Sequence, residues 1–279
     1  MNQQEGTFSG RNSHRIYWQA WLPERVRAAV VVVHGVGEHS GRYAHVAKLL
    51  VDAGCAVYAL DHHGHGQSEG RRALIDSFDN AVADIDTLVE RAHKEQPGKP
   101  LYLLGHSMGG ALALAYALQH GAKLAGLMLS AAAVALDGLP PLAGPITKLL
   151  AAIAPGMGVI AVDPSLVSRD QEIVAAYAAD PLNCHGKLPA RTVAEIVRFS
   201  AWLPPQLPKL TLPMLVMHGG QDKLAGVAGS KMVHAKAAST DKTLKIYETL
   251  YHEIFNELPA DRARVLADLA AWLSPRLPV

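Results

Sequence analysis

The chain has 279 residues, 49% of them hydrophobic, with 26 basic residues against 25 acidic ones and a formal net charge of +1. This length and apolar content exclude a disordered polar chain and suffice for a large buried core in one or two domains, while the even charge balance excludes an electrostatic nucleic-acid binder. Charged residues make up only 18%, against roughly 25% in an average globular domain, so some part of the surface is short of charge.

In chain order, His14 to Leu22 alternates apolar and polar residues and reads as a strand. Ala29 to Val33 is a continuous β-branched run, the pattern of a strand buried on both faces. The loop His34 to Arg42 follows, then a helix over Tyr43 to Asp52 that Gly54 stops, then a second buried strand over Cys55 to Leu60. A Gly-rich loop, Asp61 to Gly70, leads to a helix over Phe78 to Gln96 that ends at Pro97-Gly98. Pro100 to Leu104 reads as a strand, Met108 to His120 as an Ala/Leu-rich helix and Leu124 to Leu129 as a strand. Ser130 to Pro208 breaks the rhythm: it is rich in proline and shows no strand–helix alternation. Order returns with a strand at Pro213 to His218, a helix at Val227 to Ala237, a strand at Thr243 to Tyr247 and a helix at Pro259 to Leu273. The alternation predicts a mainly parallel α/β sheet with helices on both faces. The break reads as an insertion between the sixth and seventh strands, dividing the chain into a core at 1–130 and 209–279 and an inserted lid or cap at 131–208.

Gly105-His106-Ser107-Met108-Gly109 is a Gly-x-Ser-x-Gly motif. Alone the pattern is weak. Here it begins where a buried strand ends and an Ala/Leu helix starts, so Ser107 projects from a tight turn whose glycines leave it room. A serine hydroxyl is a poor nucleophile without a base, and the base needs an acid to hold it. In α/β-hydrolase folds these follow in the order serine, acid, histidine, each after its own strand. Asp222 follows the strand Pro213–His218 and His252 follows Thr243–Tyr247, so Ser107, Asp222 and His252 form the candidate triad. The oxyanion hole needs two N–H donors; the N–H of Met108, next to the nucleophile, and that of Val36, in the loop after Ala29–Val33, are the candidates. His218, at a strand end ahead of Asp222, is poorly placed as a base.

His62, His63 and His65 invite a metal reading, but no carboxylate or cysteine set accompanies them, and loop packing is the alternative. His106 reads as a packing residue behind the serine. Cys55 and Cys184 are too few for a disulfide framework and have no zinc-type spacing; they are expected as free thiols, with a single bridge the other option. Met1 to Arg15 has no apolar signal-like core, and the 14 near-uncharged residues Leu149 to Val162 fall short of the roughly 20 needed to span a bilayer. The expectation is a soluble cytoplasmic protein.

The chain resembles the monoglyceride lipase family of α/β-hydrolases, of bacterial type. The resemblance runs over His34-Gly35-Val36-Gly37-Glu38-His39-Ser40-Gly41-Arg42-Tyr43, Asp61 to Gly70, the Ser107 turn, Ser168-Arg169-Asp170, Tyr177 with Asp180-Pro181-Leu182, Asp222, and Asp241 through Glu253. It implies hydrolysis of monoacylglycerols to fatty acid and glycerol without a cofactor, and an insertion that lids an apolar acyl tunnel. It also implies that Glu38 and Arg42, with Tyr177 nearby, meet the glycerol end; a loop-fixing Glu38–Arg42 ion pair is the plainer reading, and both can hold. Phe255 stands where some members carry a further histidine.

Rival readings are a lysophospholipase or broad carboxylesterase, a serine aminopeptidase on the same scaffold, a ligand receptor, and a non-catalytic membrane-surface scaffold. The missing charge has an address: Ala131 to Val162 holds only Asp137 and Lys148 in 32 positions. It either packs over the core or forms an apolar contact surface. On the second reading Leu142, Ile146, Leu149 and Ile153 line the lid rim at the tunnel mouth and make transient contact with a membrane or micelle.

Overall fold

The computed structural model describes residues 2–135 and 143–278, with the backbone alone at 143–146. Leu142 and Asp137 lie outside the described residues, and the side chain of Ile146 is likewise not described.

The strands are β1 (Asn2–Ser9), β2 (Arg15–Leu22), β3 (Ala28–Val33), β4 (Cys55–Leu60), β5 (Leu101–His106), β6 (Gly126–Ser130), β7 (Gly158–Ala161), β8 (Lys187–Pro189), β9 (Met214–Gly219) and β10 (Lys242–Tyr247). The α-helices are α1 (Ala44–Asp52), α2 (Phe78–Glu95), α3 (Met108–His120), α4 (Ala143–Ile153), α5 (Gln171–Ala179), α6 (Ala190–Trp202), α7 (Val227–Lys236) and α8 (Pro259–Leu273). Eight strands form one sheet in the order β1-β2-β4-β3-β5-β6-β9-β10. The pairs from β4 to β10 are parallel, and β1–β2 and β2–β4 are antiparallel.

The sheet is a plane between two apolar layers, and β3 shows why. All six of its residues are buried. Ala29, Val31 and Val33 point into the cluster built with α2 and α3, while Ala28, Val30 and Val32 point into the cluster built with α1 and α8. A strand covered on both faces needs an apolar residue at every position, hence the unbroken run. α2 starts at Ser77, whose hydroxyl accepts from the N–H groups of Asp79 and Asn80, and it buries Ala81, Val82, Ile85, Leu88, Val89 and Ala92 at helical spacing. α3 is buried from Met108 through Ala117, which its Ala/Leu composition permits on every side.

β1 is not foreseen by the sequence reading. It is mostly exposed and polar, and pairs with β2 on one side only. With it counted, the long insertion does fall between the sixth strand and the seventh of the main sheet. The insertion is also more regular than its sequence suggests. It contains α4, α5, α6 and a two-stranded antiparallel pair, β7–β8. These strands have four and three residues, too short to show a period. Cys55 and Cys184 are both free thiols, Cys55 buried and Cys184 half-buried. Among the described residues, no helix is long and apolar enough to cross a membrane.

Candidate active site

Parallel strands deliver their C-terminal ends to one edge of the sheet, where an open α/β sheet binds ligands. The loops after β3, β5 and β10 meet there. Residues Val36, Ser107 and His252 line a single cavity of about 480 Å³.

Ser107 sits between β5 and α3 with φ 53° and ψ −121°, a conformation L residues rarely adopt. The glycines around it make the turn possible. A Cβ on Gly105 would overlap the Gly109 carbonyl oxygen, and one on Gly109 would overlap the Val33 carbonyl oxygen. The Ser107 carbonyl accepts from the N–H groups of Gly110 (2.9 Å), Ala111 (3.2 Å) and Ala133 (2.9 Å), and its N–H donates to Ser130 O (3.0 Å). The backbone is thereby fixed with the side chain turned to the cavity. Met108 is the first residue of α3, so its N–H is among those a helix start leaves unpaired.

The Asp222 side chain is fully buried, and its carboxylate is saturated with donors. Oδ1 accepts from Leu224 N (2.8 Å) and Ala225 N (3.0 Å). Oδ2 accepts from His252 Nδ1 (2.6 Å) and lies 3.0 Å from His218 Nε2. Burial opposes its ionisation, but the charge of His252 and the hydrogen bonds from His218, His252 and Ala225 outweigh burial and hold the carboxyl far below its ordinary range. For His252 the balance runs the same way: burial disfavours the imidazolium, while the Asp222 charge and hydrogen bond, then Glu253 and Glu38, push its pKa up. With Nδ1 donating to Asp222, Nε2 of the neutral ring is an acceptor.

His218 is thus the third group on the acid, a contact the sequence reading missed. Its Nε2 also lies 3.0 Å from Ala225 O and its Nδ1 2.7 Å from Ser230 Oγ. Two acceptors around Nε2 mean that it carries the proton. His106 packs its ring 4.7 Å from that of His252 and bonds Ser130 Oγ at 3.0 Å. Burial, then the nearby His252, lowers its pKa to about 3, so it stays neutral beside the imidazole.

A polar corner adjoins these groups. Arg42 makes a forked pair with Glu253 (2.6 and 2.7 Å) and a single bond to Glu38 (2.9 Å), and its guanidinium lies 4.8 Å from the centre of the Tyr177 ring. Glu38 also accepts from Gly35 N (2.6 Å) and Tyr43 Oη (2.6 Å). Tyr177 donates to Gly37 O (3.3 Å). Of the three residues expected at a glycerol end, Glu38 and Tyr177 line the cavity and Arg42 stands behind them. Glu253, which does line it, was not singled out from the sequence; its place directly after His252 was the available signal. Both carboxylates are buried. The forked Arg42 contact overcomes burial at Glu253 and takes its pKa down to about 2, while burial and the Glu253 charge push Glu38 up. Phe255 is buried in the core layer of α1 and α8.

Most of the remaining wall is apolar and comes largely from the insertion, through Ile160, Val162, Leu166, Leu188, Val193 and Ile196, with the exposed Asp163 and Lys223 adding two charged groups to it. Leu149 and Ile153 lie elsewhere: 62% and 70% exposed on α4, they face solvent and do not line the cavity. His62 and His65 are buried against His34, with ring centres 4.4 and 5.3 Å from it, and His34 Nε2 accepts from the His62 N–H (3.0 Å). His63 stacks on His14 at 4.1 Å.

Comparison with known proteins extends these observations. The family model described as serine aminopeptidase, S33, matches residues 24–259. Monoacylglycerol lipase of Mycolicibacterium smegmatis is 42% identical, the alignment covering 98% of each chain. Human monoglyceride lipase is 36% identical over 94% of this chain and 87% of its own. The crystal structure of Paleococcus ferrophilus monoacylglycerol lipase superposes with a TM-score of 0.83 at 30% identity, covering 99% of both chains.

Proposed function

The chain belongs to the serine aminopeptidase S33 family of α/β-hydrolases and to the monoglyceride lipases, and we propose that it cleaves monoacylglycerols to free fatty acid and glycerol through Ser107, His252 and Asp222. The observation that carries the reading is the shared cavity: a serine on a strained turn and a histidine bonded to a buried aspartate carboxylate open on one space that is apolar along much of its wall and has a buried polar corner at Glu38 and Glu253.

In this mechanism His252 Nε2 takes the Ser107 proton as Oγ attacks the ester carbonyl. The N–H groups of Val36 and Met108 stabilise the oxyanion, and the positive end of α3 adds to their field. His252 then protonates the departing glycerol oxygen. Water, activated by the same histidine, releases the fatty acid from Ser107. Asp222 fixes the tautomer and stabilises the imidazolium. The acyl chain lies along Val162, Leu166 and Ile196, and the glycerol hydroxyls meet Glu38 and Tyr177, with Arg42 holding Glu38 in place. Leu149 and Ile153, exposed on α4 away from the cavity lining, make transient contact with a lipid surface.

An aminopeptidase needs an uncompensated carboxylate for the free amine. Glu38 and Glu253, the buried carboxylates beside His252, share Arg42 between them, and Asp163, the other carboxylate on the lining, is solvent-exposed and accepts from Ser165 N, so the buried corner favours a neutral diol over a cationic amine.

Ser107→Ala should lower turnover by roughly 10⁵-fold with an unchanged circular dichroism spectrum. Near-normal ester hydrolysis by that variant would refute the assignment. A panel of 1-acylglycerols, lysophosphatidylcholine and nitrophenyl esters of graded chain length then fixes the substrate. Highest kcat/KM on the acylglycerols is expected; preference for lysophosphatidylcholine, or equal rates across the panel, would favour a lysophospholipase or a broad carboxylesterase.

A further inference from the structure

The stretch Ser168-Arg169-Asp170 has no part in the mechanism above, yet it reaches the loop that carries His252. Three consecutive residues of the insertion bond to that loop. Val167 O accepts from Glu253 N at 2.8 Å. Ser168 Oγ donates to Asn256 O at 2.7 Å. Arg169 Nε donates to Glu257 Oε2 at 2.9 Å, and the same guanidinium pairs with Asp261 at the start of α8. The other oxygen of Glu257 accepts from Tyr251 N at 2.7 Å.

The pattern converges on one residue. The two chain neighbours of His252 are each pinned, Glu253 directly by Val167 and Tyr251 through the Glu257 carboxylate that Arg169 holds. Glu257 is wholly buried. A buried carboxylate keeps its place only while its charge and lone pairs are satisfied, and Arg169 is its cationic partner. Val167 meanwhile lines the same cavity as His252.

We infer that Ser168, Arg169 and Glu257 are positioning residues for His252, so that the Val167–Arg169 segment of the insertion completes the catalytic site instead of only covering it. The inference rests on His252 being the base. Displacement of this segment is transmitted to the imidazole through the Arg169–Glu257–Tyr251 link, and misplacement of about 1 Å in a reacting group costs on the order of 100-fold in rate.

The test uses Arg169→Gln, Arg169→Lys and the isosteric Glu257→Gln, which keeps an oxygen for the Tyr251 N–H but loses the charge that binds Arg169. Activity is read on a water-soluble nitrophenyl ester, with the melting temperature measured alongside. Arg169→Gln and Glu257→Gln should each lower kcat roughly 10- to 100-fold with KM within about twofold, and Arg169→Lys should recover part of the loss. The acid limb of kcat/KM supplies a readout that a merely structural link does not move. His252 faces Asp222 from the loop after β9, His106 from the end of β5, Glu38 and Arg42 from the loop after β3, and Glu253 from its own loop. Its pKa is raised chiefly by alignment with Asp222, so misalignment moves the acid limb to lower pH in both variants. A pure charge effect would move it up in Arg169→Gln and down in Glu257→Gln.

Opposed shifts with wild-type kcat, or unchanged kcat and acid limb in both variants whatever their melting temperatures, would overturn the inference. His252→Ala separates the two levels. Retained turnover in that variant removes the base assignment itself; loss of turnover there, with wild-type behaviour in the Gln variants, removes only the positioning role.

Discussion

Asp222 collects two backbone N–H groups and two imidazoles on one carboxylate. Full solvation by fixed donors keeps it ionised in a dry site, and ionisation gives His252 its orientation and its raised pKa. Asp222→Asn keeps the size but presents an amide N–H where the imidazole Nδ1–H needs an acceptor, so the ring turns to the other tautomer and Nε2 no longer accepts the serine proton. We expect kcat to fall by roughly 10⁴-fold with little change in KM, measured on a short-chain nitrophenyl ester. A loss below tenfold would show that the histidine is oriented by something other than Asp222. At this scale the sequence was only partly informative. Ser107, Asp222 and His252 could be singled out because each follows its own strand. The His218 contact could not: a residue four positions before the acid, near the end of β9, meets it only because the chain turns at Gly220-Gln221, and linear order makes it look misplaced.

Between β5 and α3 the elements meet so closely that no side chain fits at the crossing. Gly109 lies against the carbonyls of Val33 and His34 at the end of β3, and Gly105 against Gly109 itself. This contact holds the Ser107 backbone in its strained conformation, because the turn cannot relax without driving α3 into β3. Gly109→Ala should cost about 1–3 kcal/mol by overpacking, seen as a lower urea midpoint, and should cut turnover even where the protein remains folded. Wild-type midpoint and turnover together would mean that the crossing has slack. The same scale explains which elements were legible. β3, β4 and β5 are buried on both faces and write themselves as apolar runs; α2 carries its stripe and its serine cap. β1 sits at the sheet edge with Phe8 as its one apolar side chain packed against the core, and β7 and β8 are shorter than any detectable period. Their pairing is set by tertiary position, to which a local pattern is blind.

For the whole molecule, the low charge content bears on how a lipid reaches a buried serine. Ala131 to Val162 carries two charged residues, and its described helix, α4, has a buried and an exposed side: Thr147 and Ala151 are buried, while Leu149 and Ile153 stand in solvent, with Met157 beyond them 42% exposed. Apolar side chains of this size, clustered and exposed, mark a contact surface more often than chance. Each would gain about 1.5–3 kcal/mol on leaving water, and 1.4 kcal/mol is a factor of ten in an equilibrium constant, so two such residues can set the share of enzyme held at an interface. They do not line the cavity, and substitution there should leave chemistry untouched. Leu149→Glu with Ile153→Glu should therefore lower turnover on dispersed long-chain monoacylglycerol by about tenfold or more while keeping that on a water-soluble short ester within about twofold, and should weaken sedimentation with phosphatidylcholine vesicles. Equal loss on both substrates would place these residues in the fold or the catalytic site, and no loss on either would leave the apolar face of α4 without a role in substrate capture.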